Sequence, residues 1–538
     1  MSQKIIILLL LAGITFCASC AEKEVVDVYD NAGLEPVTGD TLVRLLPAEP
    51  DLLNPVLSTD TYASIIEALI FDSLIERNPE TLAFRPLCAE KWEVSADGLE
   101  YTFYLRKDIK WQDGLPMTAH DVKFSFDRIK DPLVNAPHLR NYYEDIEKLE
   151  VMDDYTVKFT YNKKYFRALE ICGTMSILPE HLYGKSPFNN SRLNRMPVGN
   201  GPYRFLQWNT GRDIVLERNK GYWGKKPYIE KIVFKIITDN TVALQLLKKR
   251  EIDLMILTAL QWESQTSSEK FNSRFSKLKY YVSGYSYIGW NIRNPLFADK
   301  RVRIAMTHFI DRKKILEKLL YNLGTVVTGN FYVNSPEYNK NINPYEYNPQ
   351  KAGELLRDAG WKDTDGDGIL DKDGRKFEFE FLIPSGNDFR EKLATIIKED
   401  LAVQGINVEI KKLEWAVFIQ NLSERDFDAT SLGWSMPLEA DPYQVWHSSQ
   451  AEQGSNFVGF KNKRADELIL LIRETLEKEK RIEYCHEFHE IIHKEQPYTF
   501  LFCSESLVAL DKRFMNVKVY PLGIRPIEWY VPEELQKY

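Results

Sequence analysis

The spacing of apolar positions along the chain changes repeatedly between the two-residue period of strands and the longer period of helices. The stretch YTFYLRKDIKW (101–111) alternates apolar and polar residues, as a half-buried strand does. TAHDVKFSFDRI (118–129) instead repeats helically and begins with Thr118, a favourable N-cap. This irregular mixture predicts a mixed α/β protein. Further strands are predicted at 214–219, 231–237, 427–434 and 499–510, further helices at 299–320, 348–361, 464–476 and 480–495, and a helix followed by a strand at 240–254.

The N-terminus follows a different pattern. A short start with one lysine precedes the apolar run IIILLLLAGITF, and small residues follow it in CASC. This order is typical of a signal peptide, here residues 1–19, and the run is too short for a convincing membrane span. We therefore expect an exported protein.

The residues around Cys20 predict how the exported protein is retained. Ala18 and Ser19 are small and immediately precede Cys20. The stretch is similar to a bacterial lipoprotein signal, in which Cys20 would be lipidated and would anchor the protein to a membrane. It departs from that pattern at Cys17, where leucine is favoured, and the alternative is an ordinary secretory signal with an incidental cysteine. Residues 20–40 are expected to form a polar tether.

Length, charge and cysteine content exclude several classes of protein. A chain of 538 residues is too long for one core and predicts two or three domains. The net charge of −8 and the absence of a basic stripe argue against a nucleic-acid partner. The remaining cysteines form no C-x-x-C pair, so no zinc knuckle or redox motif is indicated. The sequence leaves open whether Cys485 and Cys503 form a disulfide or stay as buried thiols.

The string HEIIH (489–493) matches the zinc-protease motif H-E-x-x-H, in which two histidines bind the metal and the glutamate acts as base. A secreted zinc metallopeptidase using His489, Glu490 and His493 is therefore one alternative function, and His486 lies nearby. However, the same helix has an ordinary amphipathic pattern, and no downstream element supplies a third ligand. We interpret the string as part of a packing helix and expect no enzyme activity. The apolar stripe of this helix is Ile482, Cys485, Phe488 and Ile492.

A second metal-like string is DTDGDGILDKDG (363–374). Aspartates fill positions 1, 3, 5 and 9 of a calcium-binding loop and glycine fills position 6, but position 12 is glycine instead of the bidentate glutamate. The string predicts a calcium ion with a purely structural role, and the alternative is a solvated Asp/Gly turn. The predicted ligands are Asp363, Asp365, Asp367 and Asp371.

Four long blocks in fixed order carry a family resemblance. They are LCAEKWEVSADGLEYTFYLRKDIKWQDGLPMTAHDVKFSFDRI (87–129), GNGPYRFLQWNTGRDIVLERNKGYWGKKPYIEKIVFKII (199–237), YIGWNIRNPLFADKRVRIAMTHFIDR (287–312) and FDATSLGWSMPLEADPYQVWHSSQ (427–450). Together they resemble the family-5 bacterial extracellular solute-binding proteins, which are the oligopeptide-, dipeptide- and nickel-binding receptors of ABC importers. The similarity extends from about Thr41 to the end of the chain.

The resemblance implies an α/β fold with two lobes, the type II clamshell of periplasmic binding proteins, enlarged by an inserted domain. Lobe one would combine residues 41–71, 190–281 and 503–538. The inserted domain would be 72–189, and lobe two would be 282–502. Such lobes close on a ligand by hinge motion.

The resemblance also implies a receptor that captures an oligopeptide or dipeptide outside the cytoplasmic membrane and delivers it to an ABC permease. The ATPase would be another chain, since no Walker A loop, dinucleotide fingerprint or G-x-S-x-G elbow is present. We expect a monomer without a cofactor other than the calcium. Within the family, a receptor for a nickel chelate, haem or a sugar is the alternative, and the ligand length is open.

Aromatic residues are candidates for the walls of the ligand pocket. Trp415 in KLEWAVF and Trp434 in SLGW match pocket tryptophans of the family by motif. Tyr287 stands where lobe two would begin. For each ring the alternative is packing in the core.

Acidic residues are candidates for binding the ammonium group of a peptide. Family members carry an aspartate just after the G-W pair, and that position falls here near Pro437. The nearest acids are Glu439 and Asp441, and either would pair with an ammonium group when desolvated. Asp441 precedes Pro442 and would alternatively shape a turn.

Overall fold

The computed structural model describes residues 26–27, 35–185 and 187–538. The predicted signal peptide, Cys20 and much of the predicted tether (20–40) lie outside these described residues. Within the described part of the chain, no helix is long and apolar enough to cross a bilayer.

The described chain contains 23 strands and 15 α-helices. The strands are β1 Val26–Asp27, β2 Gly39–Leu46, β3 Ile75–Arg77, β4 Phe84–Pro86, β5 Ala89–Val94, β6 Glu100–Leu105, β7 Ile146–Asp153, β8 Thr156–Tyr161, β9 Tyr203–Asn209, β10 Asp213–Arg218, β11 Ile229–Ile236, β12 Leu254–Ile256, β13 Phe275–Tyr281, β14 Gly284–Trp290, β15 Gly324–Val326, β16 Asp371–Lys372, β17 Arg375–Lys376, β18 Glu378–Pro384, β19 Asn407–Leu413, β20 Ala429–Ser435, β21 Tyr498–Phe500, β22 Phe502–Asp511 and β23 Lys518–Val519. The helices are α1 Thr61–Ile70, α2 Ala119–Lys130, α3 Pro137–Tyr143, α4 Ala168–Gly173, α5 Glu180–Tyr183, α6 Asn240–Lys248, α7 Glu269–Asn272, α8 Lys300–Phe309, α9 Arg312–Leu320, α10 Pro349–Asp358, α11 Asp388–Ala402, α12 Trp415–Glu424, α13 Tyr443–Trp446, α14 Lys463–Glu474 and α15 Lys478–Glu495. One-turn 3₁₀-helices lie at Phe188–Asn190, Arg192–Asn194, Ser448–Gln450, Pro526–Glu528 and Glu533–Leu535, and a π-helix at Gln261–Gln265.

The largest sheet has eight strands in the order β13-β22-β12-β2-β11-β10-β9, with β15 paired to β22. It combines strands from both ends of the chain, since β2 begins at Gly39 and β22 ends at Asp511. β2 runs parallel to β11 and β12, whereas β22 is antiparallel to its neighbours β12 and β13. The sheet is therefore complete only when distant segments meet.

A second sheet has five strands in the order β19-β18-β20-β14-β21. Side chains of its strand β14 contribute to two hydrophobic cores, because successive side chains point to opposite faces of a sheet. Ile288 and Trp290 belong to one buried cluster, and Tyr285 and Tyr287 belong to another on the opposite face. Both faces of this sheet are therefore covered.

The third unit is a four-stranded antiparallel sheet, β5-β6-β8-β7, with the helices α2–α5. We call these elements the four-stranded unit. Thr118 and Asp121 form a reciprocal capping box that starts α2, as the sequence predicted for Thr118. Phe126 of α2 packs edge-on against Phe159 of β8, which holds the helix on the sheet.

Of the eight- and five-stranded sheets, a strand of one leads almost directly into a strand of the other at two neighbouring points. β13 leads into β14 through Val282 and Ser283, and β21 leads into β22 through Leu501 alone. Val282 N donates to Ser504 O at 3.0 Å, and Leu501 N donates to Ser286 O at 2.9 Å, so the two crossings lie side by side. Paired crossings of this kind form a hinge. The lobe and insert boundaries predicted from the resemblance stay predictions.

Glu67 of α1 gives the first testable prediction. The side chain is 5 % exposed, and burial raises the pKa of this carboxyl to about 8. The folded protein therefore binds this proton more tightly than the unfolded chain, and stability contributed by the neutral form is lost as pH rises from about 4.5 to 8. We expect Glu67→Gln to raise the free energy of unfolding by roughly 2–4 kcal/mol at pH 8.5 and to change it little at pH 4.5.

The measurement is urea unfolding of both proteins between pH 4.5 and 8.5. The matched control is Glu90→Gln on β5, where the side chain is exposed. An unchanged pH profile in Glu67→Gln would contradict the assignment of this dependence to Glu67.

Candidate ligand-binding site

A cavity of about 340 Å³ lies where the four-stranded unit meets the end of β20. Larger hollows of about 1100, 730, 700 and 530 Å³ lie elsewhere, and none of them lies between the four-stranded unit and the segment after β20. One wall comes from α3 and Arg167, and the other comes from Tyr285, Asn330 and the segment after Trp434. The lining residues are His138, Asn141, Tyr142, Arg167, Tyr285, Asn330, Trp434, Ser435, Met436, Pro437, Ala440, Asp441, Pro442, Gln444, Val445, Trp446 and Ser455.

The aromatic wall of the cavity is a ladder of stacked rings. The half-buried Trp434 is parallel to Tyr287 at a centroid distance of 6.5 Å and to Phe457 at 6.1 Å. Tyr287 in turn stacks on Tyr498 at 3.8 Å, and Trp434 Nε1 donates to the Tyr498 hydroxyl at 3.5 Å. These contacts fix the plane of Trp434 while one face borders the cavity. Burial raises the pKa of Tyr287 well above its usual value and that of Tyr498 to about 12, so both phenols remain protonated.

The other two aromatic candidates do not line the cavity. Tyr287 is 1 % exposed and belongs to the buried part of the aromatic ladder. Trp415 is 55 % exposed at the first position of α12, where its ring stacks on Phe418, and it is not among the cavity-lining residues. A role of either ring in binding stays a prediction.

Asp441 lies in the cavity wall and is held by three donors. Its Oδ2 accepts from the Tyr165 hydroxyl at 3.0 Å and pairs with Arg473 Nε at 3.2 Å, and its Oδ1 accepts from Tyr443 N at 3.0 Å. Tyr165 belongs to the four-stranded unit, so Asp441 also links the two sides of the cavity. Phe166 N donates to Arg473 O at 2.8 Å and strengthens the same link.

Glu439 lies beside the cavity and links β3 to α15 through two arginines. Its Oε2 is 3.2 Å from Arg77 Nη2, and its Oε1 is 2.9 Å from Arg481 Nη2. Arg77 also contacts Glu170 at 3.1 Å. Both carboxylate oxygens of Glu439 are thus engaged by arginines, and it does not line the cavity. Which acid binds a ligand ammonium group stays a prediction.

Several cavity residues had no local sequence pattern that would reveal them. Arg167 supplies a buried guanidinium, whose Nε pairs with Glu170 Oε2 at 2.8 Å. His138 lies on the same wall, and burial lowers the pKa of its ring, which favours the neutral form. Asn330 comes from the segment after β15. These residues are far apart in sequence, and only the meeting of the two units brings them together.

The HEIIH histidines are packing residues. His489 is not part of the apolar stripe predicted for α15, but it is fully buried because the segment 328–339 covers this face of the helix. His489 Nδ1 accepts from Asn339 N at 3.2 Å and Nε2 lies 3.0 Å from Thr328 Oγ1, so both ring nitrogens are used. Burial lowers the pKa of His489 to about 3 and of His493 to about 4, which keeps both neutral. Glu490 is exposed on the opposite side.

The aspartate-rich string forms a compact loop before β17. Carboxylate oxygens of Asp363, Asp365 and Asp371 lie within 4.8 Å of one another. Lys376 Nζ lies 2.5 Å from Asp365 and 2.8 Å from Asp367. The loop therefore brings carboxylate oxygens together as a calcium loop does, and Lys376 forms ion pairs with two of the carboxylates. The calcium ion stays a prediction.

The four cysteines in the described part of the chain are buried free thiols. Cys485 and Cys503 are therefore not joined. Burial raises the pKa of Cys503 to about 12, which keeps the thiol protonated and unreactive.

Comparison with known families identifies the class to which this fold and cavity belong. Residues 83–456 match the model of the bacterial extracellular solute-binding proteins, family 5. The chain belongs to this family, which is a family of receptors and not of enzymes. The predicted two-lobed α/β clamshell is confirmed, because solved structures of the family superpose over nearly the whole chain.

Three relatives illustrate the similarity. The oligopeptide-binding protein AppA of Bacillus subtilis is 34 % identical over 91 % of both chains. Its structure in complex with a nonapeptide superposes with a TM-score of 0.81, at 32 % identity over 92 % of this chain and 100 % of that one. NikZ from Campylobacter jejuni in complex with Ni(L-His) gives 0.78 at 28 % identity, covering 91 % and 99 %. DppA from Helicobacter pylori in complex with the peptide STSA gives 0.78 at 26 % identity, covering 92 % and 99 %.

Proposed function

We propose that this protein is the receptor of an ABC importer and captures peptides outside the cytoplasmic membrane for delivery to a permease. The observation that carries the proposal is the cavity between two units, which combines a flat aromatic wall at Trp434 with a carboxylate at Asp441 and a guanidinium at Arg167. A peptide carries an ammonium group and a carboxylate separated by a backbone, and it requires partners of both signs. AppA and DppA, whose structures hold peptides, support the proposal.

The size of the cavity points to short ligands. A volume of about 340 Å³ is at the lower end of the range of roughly 300–1,000 Å³ that small-molecule pockets occupy. We expect two or three ligand residues to be enclosed, with the protein acting as a monomer.

Native mass spectrometry of the mature protein, purified from its own cell envelope, tests the function directly. A population that carries mixed peptide masses, lost on mild denaturation, is the expected result and gives the preferred length. A uniform non-peptide mass, such as a nickel chelate, haem or a sugar, would replace the peptide assignment by another ligand class of the family.

We assign the ammonium group of the peptide to Asp441, because Asp441 lines the cavity and Glu439 does not. Asp441→Asn should weaken binding of a free-amine tripeptide by about 10- to 100-fold, since a charge-assisted hydrogen bond contributes about 1.5–3 kcal/mol. Binding of the N-acetylated tripeptide should change little. Isothermal titration calorimetry measures both, with Glu439→Gln as the matched control. Equal losses for free and acetylated peptides would contradict the assignment.

The membrane anchor is proposed at Cys20, on the sequence pattern that precedes it. Cys20→Ser should shift the exported protein from the membrane fraction to the soluble fraction, because the thiol that would carry the lipid is removed. Fractionation followed by immunoblotting measures the shift. A variant that remains in the membrane fraction would rule out Cys20 as the anchor.

We also propose that calcium binds the loop of Asp363, Asp365, Asp367 and Asp371 in a structural role. Millimolar Ca²⁺ should raise the melting temperature, a chelator should reverse the change, and Asp363→Asn should abolish it. A melting temperature insensitive to Ca²⁺ in the wild type would leave Lys376 as the partner of these carboxylates.

A further inference from the structure

Asn330 carries an unpaired, buried amide beside the cavity. Its side chain is 1 % exposed and lines the same cavity as Trp434 and Arg167. Among the residues that the structure describes, neither Nδ2 nor Oδ1 of Asn330 has a hydrogen-bond partner. Buried polar groups are nearly always paired, and leaving a donor and an acceptor unpaired destabilises the protein. A group that fills the cavity and offers both an acceptor and a donor would satisfy this amide.

The backbone that carries Asn330 is held rigidly. Thr328, two residues earlier, is bonded through Oγ1 to the Tyr338 hydroxyl at 2.8 Å and to His489 Nε2 at 3.0 Å. Phe331, the next residue, packs edge-on against Phe488. A Cβ atom at Gly329 would collide with the His489 ring, so glycine allows this close approach. The histidine of the HEIIH string thus helps to position Asn330, and the amide is preorganised.

The hydrogen-bonding pattern of a carboxamide limits which ligand groups are able to pair with the Asn330 side chain. Carboxylates offer only acceptors and ammonium groups offer only donors, so each would leave half of the Asn330 amide unpaired. In an extended peptide, the N–H and the C=O of one residue point to the same side, as in the residue pairs that exchange two hydrogen bonds in antiparallel sheets. A carboxamide presents the complementary donor and acceptor side by side.

We infer that Asn330 forms a two-bond pair with the backbone N–H and C=O of one residue of a peptide held extended in the cavity. This inference rests on the proposed function and adds to it a contact that does not depend on ligand side chains. Asp441 and Arg167 line the same cavity, so the charged ends and the backbone of the ligand have separate partners. A main-chain contact of this kind suits a receptor that accepts many sequences.

The test uses the full mature protein and alanine peptides of two to five residues, with the tightest binder chosen by calorimetry. Asn330→Leu keeps the approximate shape of the side chain and removes both polar groups. It should weaken binding about 10- to 100-fold, the loss expected for two hydrogen bonds. The melting temperature without added peptide should stay the same or rise, because a buried unpaired amide is removed. A purely structural role for Asn330 predicts the opposite change in melting temperature.

Ester analogues of the chosen peptide, in which one backbone N–H at a time is replaced by oxygen, locate the contact. The wild type should lose about 10-fold in affinity for the ester at one position, and Asn330→Leu should be insensitive at that position. The control variant Asn272→Leu changes an exposed asparagine of α7 that does not line the cavity, and it should retain the ester sensitivity.

The possible outcomes separate a failure of the inference alone from a failure of the proposed function. If the wild type binds alanine peptides and Asn330→Leu binds them equally well, the backbone pairing is wrong and the receptor function stands. If Asn330→Leu loses affinity only for peptides with asparagine or glutamine side chains, the Asn330 amide binds a ligand side chain and the inference is overturned. If the wild type binds no alanine peptide, the inference fails together with the peptide function.

Discussion

Replacing Trp434 with alanine is expected to weaken peptide binding by about 30-fold or more. Trp434 is the part of the aromatic ladder that borders the cavity, and its plane is fixed by its contacts with Tyr287 and Phe457. Truncation of a rigid aromatic anchor in a desolvated pocket typically costs about 2 kcal/mol or more, which corresponds to roughly this loss in affinity. Trp434→Phe should recover much of it, because a flat ring still covers the wall.

The matched control for this experiment is Trp415→Ala. Both tryptophans are candidates on sequence grounds, but Trp415 is 55 % exposed and does not line the cavity. We expect less than a twofold change in the calorimetric dissociation constant for Trp415→Ala, with an unchanged melting temperature. Equal losses in both variants would mean that the peptide extends well beyond the cavity or binds elsewhere.

Replacing Arg513 with methionine is expected to cost about 3–5 kcal/mol in the free energy of unfolding, because it leaves the buried carboxylate of Asp40 without its ion-pair partner and that of Asp253 with Lys537 alone. Arg513 Nη2 lies 2.9 Å from Asp253 Oδ2, and its Nε lies 3.3 Å from Asp40 Oδ2. All three side chains are almost completely inaccessible. Arg513 Nη2 also donates to Thr41 O at 2.8 Å, which attaches the start of β2 to the segment after β22.

Urea unfolding at pH 7 measures this loss. Lys392→Met is the control, because Lys392 forms an exposed pair with Asp388 on α11, and such pairs contribute about 0–1 kcal/mol. The Arg513→Met effect should shrink when both aspartates are also replaced by asparagine, since the uncompensated charges are then absent. A loss below about 1 kcal/mol in Arg513→Met would show that solvent reaches this cluster.

Local patterns predicted individual elements well where local chemistry decides them. The helix after Thr118 begins at Ala119 because its capping box is encoded within four residues. The region 299–320 was predicted as one helical region and is two helices, since Ile310 is extended and Asp311 caps α9 by accepting from Lys314 N. The helical character of this region was therefore predicted, and the break within it was not.

Pairing with distant strands determined the strand boundaries that local sequence patterns did not predict. The stretch 499–510 was predicted as one strand, but β21 pairs with β14 in one sheet and β22 pairs with β12 and β13 in another. The break falls at Leu501, which is as apolar as its neighbours and gives no local sign of the change. The strand predicted at 101–111 similarly ends at Leu105, where its pairing partners end.

The site was predictable only where a motif recurs in the family. Trp434 was found through its G-W motif, and the neighbouring acids through their position after it. Asn330 and Arg167 were not found, because each lies in a segment whose local pattern is ordinary. What marks Asn330 is a buried, unpaired amide in a residue that lines the cavity, and that is a property of the assembled structure and not of the residues beside it.

The placement of β2 and β22 in one sheet also determines when the protein is able to fold. β22 occupies an inner position between β12 and β13, so this sheet lacks a central strand until residue 511 is available. Contacts between positions so distant in sequence form slowly, because a long loop must close before they stabilise anything. A nascent chain therefore remains without its largest sheet during synthesis. For an exported protein, the largest sheet is therefore completed only after the C-terminal strand has become available.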